Sequence, residues 1–248
     1  MRTYVINAIA FDEELKKDVQ QANFIGKAKT MGFDAFEIRS EFLSADPAEL
    51  DEIKQIADKE QMSIFYSVND LLYRNGQLNV NLNKYIRQMH RMGSTNIKLN
   101  LGKLSFLDSN GLADLLDGSF TLRIENNQTV SESDLGTLTR FFKLLEGAAI
   151  PHVRFCFDIA NWSWLAATAN EAVSALKDDT DYVHLKNEAI VDQRRQVTHS
   201  LRQGDLDWQS ILKPLSKASI LGFEYTGEQS AITEDLQAVK SFLSTEQS

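Results

Sequence analysis

Eight short apolar segments recur along the chain, and their first residues lie 25–37 residues apart. Most are followed by a longer stretch with the start and stop signals of an amphipathic helix. Eight strand–helix units in 248 residues are what a closed (β/α)8 barrel, or TIM barrel, requires. The predicted strands are TYVINA from Thr3, AFEIRS from Ala35, SIFYSVN from Ser63, NIKLNLG from Asn96, TLRIENN from Thr121, VRFCFDIA from Val153, YVHLKN from Tyr182 and SILGFEYT from Ser219.

Local signals between these strands support the alternation. Asp12 is expected to cap one long helix that ends at Gly32, and Asp46-Pro47 is expected to open the next helix. The segment SFLDSNGLADLLDG, between the fourth and fifth strands, leaves room only for a short helix. The first strand runs into NAIAFDEE without the glycines of a dinucleotide-binding sheet. We therefore predict an α/β fold with one TIM-barrel domain over residues 1–248.

Charge and composition exclude several classes of protein. Lys and Arg total 26 against 35 Asp and Glu, a formal net charge of −9 that opposes binding to nucleic acid or an anionic membrane. The single cysteine, Cys156, excludes a disulfide framework and a cysteine-based zinc site, and we expect it to serve in packing. Neither a signal peptide nor a membrane span is apparent, so a cytoplasmic protein is expected. A homo-oligomer is compatible with the sequence, although no interface stripe stands out.

The predicted interior of the barrel is charged on strand after strand. Side chains alternate along a strand, so one set faces the helices and the other faces the barrel axis. The charged members lie mostly toward the carboxyl ends of the strands, where barrels of this kind carry their active sites. The inward set on six strands is Glu37 and Arg39, Lys98 and Asn100, Arg123, Glu125 and Asn127, Arg154, Cys156 and Asp158, Tyr182, His184 and Lys186, and Gly222, Glu224 and Thr226.

Four acidic or imidazole groups stand at the ends of strands five to eight, namely Glu125, Asp158, His184 and Glu224. Burying such groups is costly unless they pair or bind a ligand. Three carboxylates and one imidazole can bind one divalent metal ion, and Mn²⁺, Mg²⁺ or Co²⁺ suits this oxygen-rich set better than the alternative, Zn²⁺. The competing interpretation is a buried ion-pair network with Arg123, Arg154 and Lys186.

Six motifs follow one another over nearly the whole chain: GFDAFEIR (Gly32–Arg39), IENN (Ile124–Asn127), FDIAN (Phe157–Asn161), VHLKN (Val183–Asn187), GDLDW (Gly204–Trp208) and GFEYTGE (Gly222–Glu228). In this order they resemble the xylose-isomerase-like TIM barrels, a superfamily of sugar isomerases and epimerases related to the family 2 apurinic endonucleases. The resemblance implies that the four groups above bind the metal. It also implies that Glu125 and Glu224, one on each side of the substrate, transfer protons.

The chain departs from that pattern at two places. Asn161 stands where many relatives have a histidine, and an amide cannot act as an acid or a base. Many epimerases place an arginine soon after the strand-seven histidine. Here Arg194, Arg195, His199 and Arg202 are the candidates for that role.

Further polar residues are predicted to contact a substrate. Arg39, Lys98, Arg123 and Lys186 would either make the pocket cationic and favour an anionic substrate, or neutralise Glu37 and the metal-binding carboxylates. Lys186 is the strongest single candidate for a substrate contact. The full predicted set is Glu37, Arg39, Lys98, Asn100, Asn161, Lys186 and His199.

The residues fit proton-transfer chemistry. A metal that chelates a carbonyl and its neighbouring hydroxyl acidifies the C–H between them, and carboxylates can then move that proton. We therefore predict a divalent-metal-dependent isomerase or epimerase whose partner is a small carbohydrate or sugar phosphate. The alternatives are a metal-dependent dehydratase or lyase on the same scaffold, and a non-catalytic sugar-binding barrel. An apurinic endonuclease is disfavoured because the chain has only 4 histidines and a charge of −9.

Overall fold

Eight parallel strands close into a barrel in the computed structural model, which describes residues 2–245. These strands are β1 (Thr3–Asn7), β2 (Ala35–Arg39), β3 (Ser63–Arg74), β5 (Asn96–Gly102), β6 (Thr121–Glu125), β7 (Val153–Asp158), β8 (Thr180–Leu185) and β11 (Ile220–Phe223). The barrel closes because β1 pairs with both β2 and β11, so that Val5 lies opposite Ala35 on one side and Gly222 on the other. The predicted (β/α)8 barrel is confirmed.

Three short strands extend the carboxyl-terminal face. β4 (Gln77–Leu78) pairs antiparallel with the end of β3. β9 (Glu188–Val191) and β10 (Arg194–Val197) form an antiparallel hairpin directly after β8. Both hairpins therefore stand at the end of the barrel where the predicted site lies.

The helices alternate with the strands of the barrel. They are α1 (Asp12–Leu15), α2 (Ala22–Thr30), α3 (Ala48–Glu60), α4 (Leu82–Arg91), α5 (Ser109–Leu115), α6 (Val130–Ser133), α7 (Leu135–Gly147), α8 (Ala169–Leu176), α9 (Trp208–Leu212) and α10 (Gln229–Thr245). The prediction of a short helix between β5 and β6 is confirmed, since α5 has 7 residues. Within residues 2–245, no helix is long and apolar enough to cross a membrane.

The segment after β1 differs from its prediction. A single helix capped by Asp12 and ending at Gly32 is wrong, because two helices are present. Asp12 lies inside α1, where its carboxylate pairs with Lys16 instead of capping the helix. Asp18 follows with a left-handed backbone (φ 60°), which no α-helix continues through, and α2 begins afterwards.

An apolar cluster fills the barrel interior below the predicted site. Its members are Val5, Ala35, Phe65, Cys156, Tyr182 and Ile220. All but Ile220 stand two residues before an inward polar residue on the same strand; Cys156 precedes Asp158, for example, and Tyr182 precedes His184. The interior is therefore apolar at one level and charged at the next level toward the carboxyl ends.

Arg123 lies at the opposite end of the barrel from that site. Its guanidinium forms an ion pair with Asp181 (2.8 Å), donates to Asn96 (2.7 Å), and lies 5.8 Å from the ring centres of Phe65 and Tyr182. Neither alternative considered for Arg123, a cationic pocket or neutralised metal-binding carboxylates, fits this position, because the apolar cluster separates Arg123 from the charged level.

Candidate metal centre

A cavity of about 380 Å³ opens at the carboxyl-terminal ends of the barrel strands. The predicted site residues that line it are Arg39, Lys98, Asn100, Glu125, Asn161, Lys186 and Glu224. Glu37, Asp158 and His184 are fully buried behind this lining, and His199 lies outside it.

The four predicted metal ligands converge at the base of the cavity. One ligand atom from each of Glu125, Asp158, His184 and Glu224 lies within 4.8 Å of the other three. Nδ1 of His184 is 2.7 Å from Oε1 of Glu125 and 3.2 Å from Oε2 of Glu224. A cation about 2.0–2.3 Å from each ligand places opposite ligand atoms at most roughly 4.6 Å apart. The observed spacing is close to what one divalent ion needs.

Strand register explains this convergence. Glu125 and Asp158 end β6 and β7, His184 is next to last in β8, and Glu224 follows β11. Asp158 lies opposite His184, and His184 lies opposite Gly222, two residues before Glu224. Parallel pairing therefore brings the last inward side chains of four neighbouring strands to one level.

Four buried polar atoms at this point make no hydrogen bond of good geometry within residues 2–245, although charged neighbours lie close to them: Oε1 of Glu125, Oδ2 of Asp158, and both ring nitrogens of His184. Buried polar atoms are normally hydrogen-bonded, and an unpaired one costs about 1–3 kcal/mol. A metal ion would satisfy atoms of this kind that face one another. The donor set therefore fits a divalent cation of the Mn²⁺, Mg²⁺ or Co²⁺ type.

Two ammonium groups hold the carboxylates of this set. Nζ of Lys186 lies 2.7 Å from Oδ2 of Asp158 and 3.0 Å from Oε2 of Glu224. Lys98 pairs with Oε2 of Glu125, and Oε1 of that carboxylate faces Nδ1 of His184 instead. A cation held by all four ligands must therefore displace Lys186 but need not displace Lys98.

The ion-pair interpretation accounts for only part of the cluster. Of its three basic residues, Lys186 contacts the carboxylates, whereas Arg123 lies at the other end of the barrel and Arg154 donates to the carbonyl oxygen of Asp178. Arg39 joins the cluster instead, 2.9 Å from Oε1 of Glu224.

The two glutamates that line the cavity are held ionised. Burial alone would raise the pKa of Glu125, but the Lys98 ammonium lowers it below its usual value. Burial would likewise raise the pKa of Glu224, and Lys186 with His184 lowers it well below its usual value. Both carboxylates are thus ionised at neutral pH.

The pKa values of the two fully buried ligands, Asp158 and His184, are raised instead of lowered. Burial raises the pKa of Asp158 to about 6. Burial alone would lower the pKa of His184, but the acidic groups packed around its ring, including Cys156 and Glu125, raise it well above its ordinary value. His184 therefore holds a proton that a metal would have to displace, whereas Asp158 takes up a proton only as the pH falls toward 6.

Glu37 supports His184 from behind the cavity. Its Oε1 lies 3.4 Å from Nε2 of His184 and accepts a hydrogen bond from Nδ2 of Asn7 (2.6 Å), while its Oε2 accepts one from the Tyr182 hydroxyl (2.7 Å). Burial would raise the pKa of Glu37, but Lys98 and His184 lower it to about 2. The sequence analysis missed Asn7, although it is the last inward residue of β1.

An amide chain positions Asp158. Asn126 accepts a hydrogen bond from the backbone N–H of Asp158 (2.9 Å) and donates to its carbonyl oxygen (3.0 Å). Asn161 donates to the carbonyl oxygen of Asn126 (2.8 Å) and accepts from Gln128 (3.1 Å). Asn161 thus lines the cavity with an amide already bound to the loop. Asn126 was missed because it follows the end of β6, where strand alternation no longer applies.

The segment after β9 does not supply the expected arginine. Arg195 and Arg202 each pair with a buried carboxylate, and neither they nor Arg194 lines the cavity within the described chain. Nδ1 of His199 lies 2.9 Å from the carbonyl oxygen of Thr226, at the rim. The expectation of a substrate contact from these residues finds no support in the cavity lining.

Two of the sequence motifs hold each other in place. The Asn187 side chain of VHLKN donates to the carbonyl oxygens of Leu201 (2.8 Å) and Leu206 (3.1 Å). A Cβ atom on Gly204 of GDLDW would overlap this side chain. These residues are structural, and they fix the long loop beside the cavity.

No protein-family model and no curated protein sequence matches the chain. Solved structures match it in fold. An L-ribulose 3-epimerase is 16% identical with a TM-score of 0.70, and the match covers 100% of this chain and 96% of that one. A probable 3-DHS dehydratase from Bacillus anthracis is 14% identical with a TM-score of 0.66, covering 96% and 98%.

A xylose isomerase domain protein from Alicyclobacillus acidocaldarius is 12% identical with a TM-score of 0.64, and the match covers 99% of both chains. These likenesses extend over the whole barrel. The chain therefore has the fold of the xylose-isomerase-like TIM barrels, as the sequence motifs predict.

Proposed function

We propose that the chain is a divalent-metal-dependent isomerase or epimerase of small sugars, which moves a proton at a carbon next to a carbonyl group. One observation supports this above all. Of the four proposed ligands, only Glu125 and Glu224 line the cavity, while Asp158 and His184 are buried behind it. Two carboxylates can thus reach both a metal and a substrate, and the other two groups can serve the metal alone.

The arrangement fits proton transfer from two directions. A cation bound to the carbonyl and adjacent hydroxyl oxygens of a sugar acidifies the C–H between them. Glu125 and Glu224 reach the cavity from β6 and from the end of β11, with β7 and β8 between them. Transfer of the proton by both carboxylates would give epimerisation, and transfer between adjacent carbons by one would give aldose–ketose isomerisation.

Neighbouring side chains hold each carboxylate in one orientation. Oε1 of Glu224 accepts from Arg39 (2.9 Å) and from Asn7 (3.3 Å), and Oε2 of Glu125 pairs with Lys98. Each glutamate therefore has one oxygen fixed by a donor outside the proposed ligand set, while its other oxygen lies beside Nδ1 of His184. Such fixed geometry is what a general base requires.

The charges around the cavity favour an uncharged sugar over a sugar phosphate. Every basic side chain that lines it within residues 2–245 already has a carboxylate partner. The network consists of Arg39, Lys98 and Lys186 with Glu37, Glu41, Glu125, Asp158 and Glu224. The five carboxylates outnumber the three basic groups, so no basic group among them remains unpaired for a phosphate. Ser67 and Asn100 line the same cavity with neutral groups suited to hydroxyls.

Hydrogen exchange in heavy water tests the chemistry directly. The protein loaded with Mn²⁺ should incorporate deuterium next to the carbonyl of at least one ketose, measured by NMR. Glu125→Gln and Glu224→Gln should each slow exchange by about 10²–10⁴-fold, the usual effect of losing a positioned base. Glu234→Gln, at an exposed surface pair with Arg202, is the matched control and should exchange normally.

Three outcomes would contradict the proposal. Full exchange activity in both metal-loaded cavity variants would remove Glu125 and Glu224 as bases. A product that has lost water would favour a dehydratase, a class to which one protein of the same fold belongs. No exchange with any ketose, ketose phosphate or keto acid would favour a non-catalytic sugar-binding barrel.

Substrate charge is tested with one sugar in two forms. A ketose should be converted with a kcat/KM at least about 10-fold above that of the same ketose with a terminal phosphate, because an unpaired buried charge costs roughly 1–3 kcal/mol or more. A preference for the phosphate would overturn the assignment to uncharged sugars while leaving the proton-transfer chemistry intact.

A further inference from the structure

A second set of ligand atoms lies deeper in the barrel than the centre described above. Cys156 precedes Asp158 by two residues on β7, which places it roughly 6–7 Å further from the carboxyl end of the strand. Ligand atoms of Glu125, Cys156 and His184 all lie within 4.8 Å of one another, and all three residues are buried. The deeper set shares two members with the upper one and replaces two carboxylates by a thiol.

Lys186, which forms ion pairs with the upper set, pairs with no carboxylate of the deeper set among residues 2–245. Lys186 contacts Asp158 and Glu224, neither of which belongs to the deeper set. Oε1 of Glu125 lies 2.7 Å from Nδ1 of His184, and within the described chain neither atom makes a hydrogen bond of good geometry. A cation can therefore reach these atoms without displacing an ammonium group.

Ligand softness separates the two positions. Carboxylates with one imidazole suit Mn²⁺ and Mg²⁺, whereas a thiolate selects softer cations such as Zn²⁺ and Cd²⁺. The apolar cluster around Cys156, which includes Val5 and Phe65, keeps water away from the thiol.

We propose that Glu125, Cys156 and His184 form a second cation position, which takes thiophilic divalent ions in place of the upper centre. Binding joins the cation to the sulfur and to a ring nitrogen of His184, and it releases the thiol proton and the imidazolium proton to solvent. The two positions exclude each other because they share Glu125 and His184. A cation in the deeper position leaves Asp158 and Glu224 paired with Lys186, so Cd²⁺ should displace Mn²⁺. The position shares residues with the proposed metal centre but does not depend on its sugar chemistry.

Ultraviolet absorption on titration with Cd²⁺ tests this position. A cadmium–thiolate bond absorbs in the ultraviolet, and Cys156 is the only cysteine among the 248 residues, so any such band reports this residue. We expect a band that saturates at one Cd²⁺ per chain. Cys156→Ser should lose the band and bind Cd²⁺ at least about 10-fold more weakly, since even loss of an outer-shell partner costs 10–100-fold. Its Mn²⁺ affinity should be unchanged.

Asp158→Asn is the reciprocal variant, which should weaken Mn²⁺ binding and keep the cadmium band. Should Cys156→Ser fail to fold by circular dichroism, the band in the unaltered protein and the affinity of Cys156→Ala decide. Cd²⁺ binding without a band, or equal Cd²⁺ affinity with and without the thiol, would overturn the proposal. A band without any Mn²⁺ binding would support the deeper position and contradict the upper centre; Mn²⁺ binding without a band would do the reverse.

Discussion

Replacing Lys186 by methionine should destabilise the metal-free protein. The ammonium lies 2.7 Å from Asp158 and 3.0 Å from Glu224, and all three side chains are buried. Methionine is of similar length but leaves both carboxylates without this partner. Removing one partner of a buried ion pair costs about 3–5 kcal/mol. For a domain of this size, each kcal/mol shifts Tm by about 2–4 °C, so the chelated variant should melt roughly 6–20 °C lower.

A divalent cation should restore much of that loss, because it returns positive charge to the same two carboxylates. In the unaltered protein the cation must first displace the ammonium, which opposes binding. At a hundredfold excess over its Kd a ligand adds about 2.7 kcal/mol of stability. The rise in Tm on adding Mn²⁺ should therefore be larger in Lys186→Met than in the unaltered protein, and the Mn²⁺ affinity should be higher.

Differential scanning calorimetry with a chelator and with saturating Mn²⁺ measures both effects. Lys54→Met is the matched control, because Lys54 forms an exposed i,i+4 pair with Asp58 that contributes little to stability. An equal or smaller Mn²⁺-induced rise in Lys186→Met would refute the competition between Lys186 and the metal. An unchanged Tm in chelator would refute the buried ion pair itself.

Three further outcomes are expected. Mn²⁺ affinity, measured by calorimetry on either side of pH 6, should fall as the pH falls, because burial raises the pKa of Asp158 to about 6 and a protonated carboxyl is a poor ligand. Asp235→Asn should lower the free energy of unfolding in urea by about 1.5–3 kcal/mol, since its buried carboxylate accepts four hydrogen bonds; an unchanged midpoint would contradict this. Gly204→Ala should lower it by about 1–3 kcal/mol by overlap with Asn187, whereas Gly147→Ala, with nothing within 4 Å, should not.

The barrel and the meeting of four ligands could be predicted from the sequence because both depend on short-range regularities. Alternation decides which side chains point inward, and parallel pairing brings the ends of neighbouring strands to one level. Glu125, Asp158, His184 and Glu224 are the acidic and imidazole members of the inward set near the carboxyl ends of four neighbouring strands, which was enough to group them. The prediction of one long helix after β1 was wrong because it depended on the backbone of a loop. A cap signal at Asp12 could not reveal that Asp18 would take a left-handed backbone.

Alternation gives the side of a strand but not the level along the barrel. Arg123 and Glu125 both point inward and are two residues apart, yet Arg123 pairs with Asp181 at the amino end while Glu125 lines the cavity. A shift of two residues is roughly 6–7 Å along a strand, enough to cross the apolar cluster. Alternation along the strand therefore placed one basic residue too many, Arg123, at the site.

Which basic side chain pairs with which carboxylate at the site depends on distances that the sequence pattern does not give. The sequence left two interpretations for the basic residues, a cationic pocket or neutralised carboxylates. Lys98 and Lys186 each reach carboxylates of the proposed metal set, and Arg39 reaches Glu224. In a buried site such contacts hold each charge far more firmly than they would in water. The basic groups thus balance the carboxylates of the proposed metal centre, and the neutral side chains beside them are what remains to contact the hydroxyls of the proposed sugar substrate.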